Sequence, residues 1–203
     1  MQQTGSHTGT GDDASAVSQV VLRERQGRDR GWWEQMAALY WPDSTVRLSA
    51  FHGDGPGFVE HSKRLFARGA RPVHQMFAPA VTVRGDKAHA EAGTLAWSTT
   101  EVDGTPANCQ TMMRLNYRLE RRGGEWRIVC LDVVYQFASI APVAPGVPLT
   151  IPPAELARYR PSYAVLAWHM ARRGIVVSDD ELGDDRPEAL EAFYAETLAW
   201  LEK

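Results

Sequence analysis

The sequence is poor in the features that mark several large classes of protein. Its 203 residues include two cysteines. Cys109 and Cys130 are too few for a disulfide framework and lack the clustered spacing of a zinc site. No apolar run reaches the length of about 18 residues that a membrane span needs, and Met1 to Asp13 do not resemble a signal peptide. We therefore expect buried, reduced thiols in a cytoplasmic protein that does not bind membranes.

An excess of charge of one sign is also missing. The 22 Lys and Arg residues face 25 Asp and Glu residues, which gives a formal net charge of -3 at pH 7. Binding to nucleic-acid phosphates relies on surplus positive charge, so no nucleic-acid partner is expected. A Gly-rich phosphate loop, a Gly-x-Ser-x-Gly elbow and the His-x-x-x-His or Cys-x-x-Cys spacing of metal sites are absent as well. No metal and no cofactor is expected.

What is present is typical of one domain with an appendage. Hydrophobic residues make up 44% of the chain and charged residues 23%, which are ordinary values for a soluble globular protein. The polar, Gly- and Thr-rich segment 1–13 is expected to be a mobile tail. The rest divides into an α+β domain over 14–137, a Pro-rich extended linker over 138–153, and a C-terminal helical extension over 154–203.

The order of elements in the main domain indicates its fold class. Apolar residues at helical spacing predict three helices, near 17–21, 32–40 and 58–66. A short strand over 45–49 and a loop over 51–56 separate the second helix from the third. Four β-like segments bounded by turn residues follow, over 73–83, 88–100, 109–121 and 126–137. Helices followed by an antiparallel meander predict an α+β fold.

A meander covered by helices on one face curls into a cone when its strands twist and bulge. The Ala78-Pro79 pair lies inside the first β-like segment. Proline cannot donate to a ladder of hydrogen bonds, so this pair predicts a bulge. The inside of such a cone forms a pocket.

The C-terminal extension shows apolar stripes along two predicted helices, 154–173 and 187–202. Such stripes must be buried, and the extension is expected to pack on the main domain or on a partner subunit. His169 lies off the first stripe and is expected to be exposed.

Several short motifs, taken in their order along the chain, resemble one known family. They are Asp29-Arg30-Gly31-Trp32-Trp33-Glu34, Leu39-Tyr40-Trp41-Pro42-Asp43, Gly57-Phe58-Val59, His74 after Pro72, Val83-Arg84-Gly85-Asp86-Lys87-Ala88 and Gly123-Gly124-Glu125-Trp126-Arg127-Ile128. In this order they resemble the SnoaL-like branch of the nuclear-transport-factor-2-like superfamily. The family includes scytalone dehydratase, polyketide cyclases, steroid isomerases, limonene epoxide hydrolase and non-catalytic binding proteins. The resemblance implies a cone-shaped curved antiparallel sheet, packed by three N-terminal-side helices, around a deep pocket.

The resemblance also implies two catalytic residues. By their place in the motifs, Asp29 and His74 match the acidic residue and the histidine that meet in the pocket of scytalone dehydratase and of the related bile-acid dehydratase. A neutral imidazole can take a proton from the carbon next to a carbonyl group, and a carboxylate can hold its tautomer and stabilise the imidazolium. Outside the family frame, Asp29 is more simply explained as a helix-corner residue and His74 as an edge-strand histidine.

Two positions depart from the pattern of scytalone dehydratase. Arg28 stands where that enzyme has a catalytic tyrosine, and its second tyrosine falls near Leu48. A substrate carbonyl therefore needs another polarising group. Tyr40 is a candidate, although a tyrosine at a helix end is more often a core aromatic. Trp33 is a candidate for the apolar pocket wall, which would suit a ring-containing substrate.

Two further residues are candidates for substrate binding. Arg114 lies in the middle of a strand, where an isolated charge lines a wet cavity or faces a carboxylate. It could hold a substrate carboxylate or an enolate oxygen, and the alternative is an ion pair with Asp132 or Asp29. His52 lies in a Gly-rich loop near the expected pocket mouth. His61, on a polar helix face, is expected to face solvent.

Together these features favour a cofactor-independent lyase or isomerase, of the dehydratase or cyclase type, acting on an apolar, ring-containing small metabolite. His74 would act as base and then as acid, Asp29 would orient it, and a homodimer is the expected assembly. One alternative is a non-catalytic small-molecule-binding or assembly module, and another is an epoxide hydrolase that uses Asp29 and Arg114 around a water. Asp29 and His74 pointing into one pocket within hydrogen-bond reach would favour an enzyme, whereas either side chain in bulk solvent would favour a binding module.

Overall fold

The computed structural model describes residues 8–203, and helices lead into one long curved sheet. The N-terminal elements are α1 (Thr8–Arg30), α2 (Trp33–Ala38), β1 (Tyr40–Leu48), β2 (Phe51–Asp54) and α3 (Gly55–Ala67). The meander follows with β3 (Val73–Met76), β4 (Ala80–Arg84), β5 (Lys87–Val102), β6 (Thr105–Arg122) and β7 (Glu125–Pro142). The C-terminal extension holds α4 (Pro153–Leu156), a 3-10 turn (Pro161–Tyr163), α5 (Ala164–Ala171), β8 (Leu182–Gly183) and α6 (Pro187–Leu201).

The strands form one mixed sheet in the order β2-β1-β7-β6-β5-β3, with β4 beside β5 and β8 beside β7. The predicted α+β class is confirmed. The meander is antiparallel as expected, but the sheet is mixed, because β7 pairs in parallel with β1 and with β8. Both exceptions join strands that are far apart in the sequence, where no hairpin turn forces an antiparallel pairing.

Irregularities in the long strands accompany the curvature of the sheet. The register between β6 and β7 shifts between Met112 and Met113 and again between Arg118 and Leu119. Ala78-Pro79, where a bulge was predicted, lies in a break that divides the first β-like segment into β3 and β4, and both of these strands pair with β5. Bulges bend a strand and increase its twist, so these positions help the sheet to wrap around a space on one side.

Strand alternation assigns the two faces of β6. Thr111, Met113 and Leu115 line a cavity inside the curved sheet. Residues one position away, including Arg114, therefore lie on the opposite face. The three N-terminal helices close the inner side over a shared apolar core, with buried residues that include Val17, Val21, Met36, Phe58, Leu115, Ile128 and Leu131.

Helix α1 is longer than expected at both ends. It begins at Thr8, inside the segment 1–13 that was predicted to be a mobile tail, and the part of that prediction that concerns residues 1–7 lies outside the described residues. Asp13 accepts a hydrogen bond from Trp126 Nε1 at 3.0 Å, which ties the start of the helix to the sheet. The helix continues through Gly27 and ends before Gly31, whose φ of 71° is in the left-handed region that favours glycine.

The C-terminal extension packs on both faces of the sheet. The predicted helix over 154–173 is divided, because Pro161 interrupts it between α4 and α5. Near the cavity, the Tyr163 ring packs edge-on against Tyr135, with centroids 5.4 Å apart. Helix α6 is fixed to β5 by a hydrogen bond of 3.2 Å from Lys87 Nζ to the Trp200 carbonyl.

Smaller boundaries also differ from the predictions. The segment 51–56, expected to be a loop, contains β2, and the linker predicted over 138–153 begins as the last part of β7. Cys109 and Cys130 are buried and free, as predicted. Among residues 8–203, no helix combines the length and the apolar character that a bilayer crossing would require.

Candidate active site

The curved sheet and its helices enclose a cavity of about 590 Å³, which is within the size range of small-molecule sites. Sheet residues on one side of it include Ala96, Thr111, Met113, Leu115 and Tyr135. Helix α3 contributes Phe58, His61 and Leu65, and α1 contributes Arg25 and Arg28. The C-terminal extension adds Leu166, His169, Met170, Arg173 and Ile175. The extension is therefore part of the cavity wall.

Asp29 and His74 meet at the edge of this cavity. His74 Nδ1 lies 2.6 Å from Asp29 Oδ1, and the backbone N–H of His74 donates to Asp29 Oδ2 at 2.7 Å. His74 lines the cavity, and its side chain is 7% exposed against 15% for Asp29. Within the described part of the chain Nε2 has no protein partner, so it is the ring nitrogen available to a ligand. We refer to Asp29 and His74 as the dyad.

Local structure explains why the two residues of the dyad meet. Asp29 is in the last turn of α1, and Gly31 turns the chain immediately afterwards. His74 is on β3, an edge strand that has no neighbouring strand on its outer side among residues 8–203. An edge strand leaves backbone N–H groups without a ladder partner. Asp29 therefore satisfies the His74 backbone and its side chain with one carboxylate, which fixes the ring by two contacts.

The electrostatics favour a neutral imidazole beside a carboxylate. Burial lowers the pKa of His74 from its ordinary 6.5 to about 4, and the nearby charges of Arg28 and Arg25 act in the same direction, against the hydrogen bond to Asp29. Burial by itself would raise the pKa of Asp29, but the hydrogen bonds and charge of His74 hold it below its ordinary value. At neutral pH, the Nδ1–H of His74 therefore donates to ionised Asp29, and Nε2 is an unprotonated base.

Arg28, on the cavity wall, is the least satisfied charged group near the dyad. Its Nε and Nη1 atoms are fully buried and have no hydrogen-bond partner among the described residues. Burial and the charge of Arg25 lower the pKa of Arg28 to about 10, so the guanidinium is still charged at neutral pH. A buried cation without acceptors is costly. Because Arg28 lines the cavity, its positive charge lies beside the space that a ligand would occupy.

A second buried charge cluster lies next to Arg28 in α1. Glu24 is 0% exposed and accepts hydrogen bonds from Arg25 Nη2 at 2.6 Å, Tyr40 at 2.9 Å and Tyr117 at 3.2 Å. Arg25 Nε also contacts Glu24. These hydrogen bonds occupy acceptor positions of the Glu24 carboxylate and stabilise it inside the fold. The cluster joins α1 to the strands and sets the position of the helix end that carries Arg28 and Asp29.

The structure places Arg114 away from the cavity. Its guanidinium contacts Glu91 at 2.7 Å, and its side chain is 44% exposed on the opposite face of the sheet. Tyr194 of α6 donates to the same Glu91. The predicted alternative of an ion pair is therefore closer to the observed arrangement, although the partner is neither Asp132 nor Asp29.

The other three predicted substrate-binding residues also lie outside the cavity wall. Tyr40 is 3% exposed and its hydroxyl donates to Glu24, so it is a core residue. Trp33 packs edge-on against Phe66, with ring centroids 5.4 Å apart. His52 is on β2, where its Nε2 lies 3.0 Å from Glu181 Oε1 and its side chain is 55% exposed.

Several cavity residues were missed from the sequence. Arg28 continues the stripe of Val17 and Val21 at helical spacing, and this is the signal that could have placed a charged group on a buried helix face. His61 and His169, which were expected to face solvent, both line the cavity, and His169 is 5% exposed. No local pattern identifies these two, because distant elements cover them.

Metal ligation is not a feature of the part of the chain that the structure describes. Residues 8–203 contain no group of three or more His, Cys, Asp or Glu side chains placed to hold a metal ion. The cavity offers instead a histidine–carboxylate pair, a buried guanidinium and apolar walls. This set can move a proton at Nε2 and can stabilise negative charge close to it.

Comparison with known sequences gives one family. The model of the SnoaL-like domain matches residues 10–132, which is more than half of the chain. A search of curated proteins found no match.

Solved structures share the architecture at low sequence identity. Hexachlorocyclohexane dehydrochlorinase LinA-type3 from Novosphingobium barchaimii LL02 is 16% identical, with a TM-score of 0.55 over 70% of this chain and 96% of that one. A candidate scytalone dehydratase from Novosphingobium aromaticivorans DSM 12444 is 14% identical, with a TM-score of 0.54 over 70% and 95%. A variant of the protein Rv3472 from Mycobacterium tuberculosis, of unknown function, is 17% identical, with a TM-score of 0.55 over 88% and 100%. These likenesses establish the cone-shaped fold.

Proposed function

This chain belongs to the SnoaL-like domain family, and from that premise we propose that it is a lyase or isomerase that removes a proton next to a carbonyl group of a ring-containing small molecule. One observation carries the proposal: inside a cavity of suitable size, His74 Nδ1 lies 2.6 Å from Asp29 Oδ1, while Nε2 is available to a ligand. General base catalysis by histidine requires a neutral imidazole that is held in a fixed orientation and faces the substrate cavity.

The first step is a proton transfer to His74. Nε2 takes the proton from the carbon next to the carbonyl group, and the electrons of the C–H bond move to form an enolate. The resulting imidazolium is stabilised by the Asp29 carboxylate, which already holds Nδ1–H. The negative charge develops on the carbonyl oxygen, and Arg28, which lines the cavity and immediately precedes Asp29 in α1, is the cation proposed to stabilise it.

The charge count agrees with this step. Before the transfer, two arginines balance two carboxylates around a neutral imidazole: Arg25, Arg28, Glu24 and Asp29. After the transfer the protein groups carry one additional positive charge, on His74, and the enolate carries one negative charge. Because burial lowers the pKa of His74 to about 4, the imidazolium is disfavoured in the empty cavity, and its formation depends on the negative charge that develops on the enolate beside it.

The second step returns the proton. If the imidazolium protonates a different carbon of the enolate, the reaction is an isomerisation. If the enolate instead expels a group from the neighbouring carbon and the imidazolium gives its proton to that group, the reaction is an elimination. Among proteins of the same fold, one is named a dehydrochlorinase and another is a candidate dehydratase. Both names describe eliminations, which favours the lyase over the isomerase.

The other two functions considered from the sequence are less well supported. The epoxide hydrolase alternative requires Asp29 and Arg114 around one water, but Arg114 is on the opposite face of the sheet and contacts Glu91. The binding-module alternative does not require the contact between Asp29 and His74. It predicts that ligands bind without proton exchange.

Proton abstraction can be tested without the natural substrate. The probe is 2-tetralone, an apolar ring ketone with acidic hydrogens next to its carbonyl group, dissolved in D2O with the full chain. The protein should accelerate deuterium incorporation, followed by proton NMR, over the rate in buffer. His74→Gln and Asp29→Asn should each lower this rate about 10²- to 10⁴-fold. Asparagine can accept only one of the two hydrogen bonds that Asp29 accepts.

His52→Gln is the matched control, because His52 also contacts a carboxylate but does so outside the cavity. It should leave the exchange rate unchanged. Equal rates for wild type and His74→Gln, whether both are fast or both equal the buffer rate, would contradict the proposed function and favour the binding module.

A further inference from the structure

We propose that the cavity takes an organic anion: an apolar ring system that carries a carboxylate or another oxyanion. The proposal rests on the proposed function for the reaction, although binding can be measured without turnover. It starts from the charge of the cavity wall. Among the described residues that line the cavity there is no aspartate or glutamate, but there are five arginines: Arg25, Arg28, Arg68, Arg71 and Arg173.

Three of these arginines form what we call the basic collar. Arg68 follows the last turn of α3, Arg71 is in the loop before β3, and Arg173 follows α5. All three are exposed, whereas Arg25 and Arg28 are further inside the fold. Within residues 8–203, no carboxylate forms an ion pair with a residue of the basic collar. Two separate segments, the connection from α3 to β3 and the chain after α5, therefore bring uncompensated positive charge to the wall of one cavity.

The guanidinium of Arg71 is held in place without an acidic partner. It lies 3.5 Å from the centroid of the Phe66 ring and donates to the carbonyl oxygen of Ala70 at 2.9 Å. Backbone oxygens and an aromatic face position the group but do not neutralise it. A positioned arginine with free donors is suited to a planar carboxylate or a phosphate.

Several arginines outside the cavity wall do form ion pairs with acidic side chains. Arg172, next to Arg173 in the chain, forms an ion pair with Asp103 and does not line the cavity. Arg122 contacts Asp43 at 2.8 Å, and Arg127 contacts Glu125. Other arginines also form no ion pair within residues 8–203, namely Arg23, Arg30, Arg64, Arg158 and Arg186. The basic collar differs from them because its three arginines line one cavity, in a chain whose net charge is -3.

The interior of the cavity is largely apolar, whereas the basic collar is charged. Its wall includes apolar side chains from four elements or their ends, among them Leu48, Phe58, Leu65, Met113 and Leu166. A cleft lined by charge of one sign, with walls of low polarity, raises the local concentration of the opposite ion. A ring inside the cavity with an oxyanion at the basic collar would satisfy both regions and would leave Arg28 for the enolate oxygen.

The test compares three ligands that share one ring and differ in charge: 2-naphthoate, 2-naphthyl phosphate and 2-naphthamide. Their affinities for the full chain are measured by isothermal titration calorimetry. At low salt, at least one of the anions should bind roughly tenfold or more tightly than the amide. The double variant Arg71→Gln/Arg173→Gln should lose this preference, and Arg172→Gln should keep it. The tighter of the two anions then identifies the headgroup.

Equal affinity of the wild type for all three ligands, or an anion preference that persists in the double variant, would overturn the proposal. The result is separable from the test of the dyad. Calorimetry measures binding alone, whereas the exchange of 2-tetralone measures proton transfer. An anion preference without any exchange of 2-tetralone would leave the anion proposal standing and reject the catalytic one.

Discussion

The proposed chemistry depends first on a single imidazole. His74 would be an edge-strand residue of no consequence if Asp29 did not accept both its backbone N–H and its ring Nδ1–H. The motifs suggested this pair from the sequence because Asp29 and His74 occupy recognisable positions in the family pattern. The same motifs gave no information on Arg28 beyond a departure from the pattern, because its importance depends on burial by distant parts of the chain.

The pH dependence of proton exchange should show that His74 acts as a buried, neutral base. Burial lowers its pKa from 6.5 to about 4. The active form is the neutral one, so the rate of 2-tetralone exchange should be independent of pH through neutrality. It should fall about tenfold for each pH unit below that pKa. A pH–rate profile with its half-maximum near 6.5 would contradict this.

The same pKa shift has a consequence for stability. Between pH 6.5 and about 4 the unfolded chain binds a proton at His74 and the folded chain does not. The free energy of unfolding should therefore decrease as the pH falls through this window. His74→Gln should remove that part of the pH dependence, which provides an internal control for the rate profile.

Arg28 should matter for the reaction more than for stability. Replacing the unpartnered buried cation by an apolar side chain of similar length, Arg28→Met, should leave the free energy of unfolding unchanged or increase it. It should also lower the 2-tetralone exchange rate about 10²- to 10³-fold, because the enolate loses the cation that stabilises it. Arg30→Met, an exposed neighbour on the same helix, is the control for both measurements. Unchanged exchange in Arg28→Met would remove Arg28 from the mechanism.

At the scale of elements, α1 determines the site because its last turns carry Glu24, Arg25, Arg28 and Asp29. The sequence indicated a helix near 17–21 but not its continuation to Arg30, since Gly27 suggested a break. In the structure Gly27 is inside the helix, where a side chain would come within 3.2 Å of Met36 on α2. The close approach of the two helices explains a glycine that looked like a helix end.

The packing of α1 against the strands should be stabilised by Glu24. Glu24→Gln leaves Arg25 buried without a carboxylate, and we expect a loss of about 3–5 kcal/mol in the free energy of unfolding, measured with urea. The control is Glu125→Gln, since Glu125 is 63% exposed where it contacts Arg127. That variant should change stability by less than about 0.5 kcal/mol. Similar losses in the two variants would show that the buried cluster does not hold the helix.

At the scale of the whole molecule, local sequence patterns predicted the hairpins and the α+β class, and long-range pairings were outside their reach. The four β-like segments correspond to the five strands β3 to β7, of which β3 and β4 share the first segment, because each turn is encoded by neighbouring residues. The parallel pairing of β1 with β7 joins residues such as Thr45 and Cys130. The face of β6 that lines the cavity could not be chosen from alternation alone, and this is why Arg114 was a candidate.

The C-terminal extension contributes more to the cavity wall than the sequence indicated. Its first part closes the cavity with Leu166, His169 and Met170, and its last helix covers the opposite face of the sheet. The family model ends at residue 132, so these elements lie beyond the matched region. Residues of the extension, Arg173 among them, therefore give this cavity a composition that the shared fold does not dictate.

The central claim is that Asp29 and His74 act as one unit in proton abstraction, and a double-mutant cycle on the exchange of 2-tetralone tests it most directly. Groups that act as a unit show strongly non-additive losses. Asp29→Asn/His74→Gln should therefore lose no more activity than His74→Gln alone. Losses that multiply, so that the double variant is slower by the product of the two single effects, would show that the residues act independently and would contradict the account.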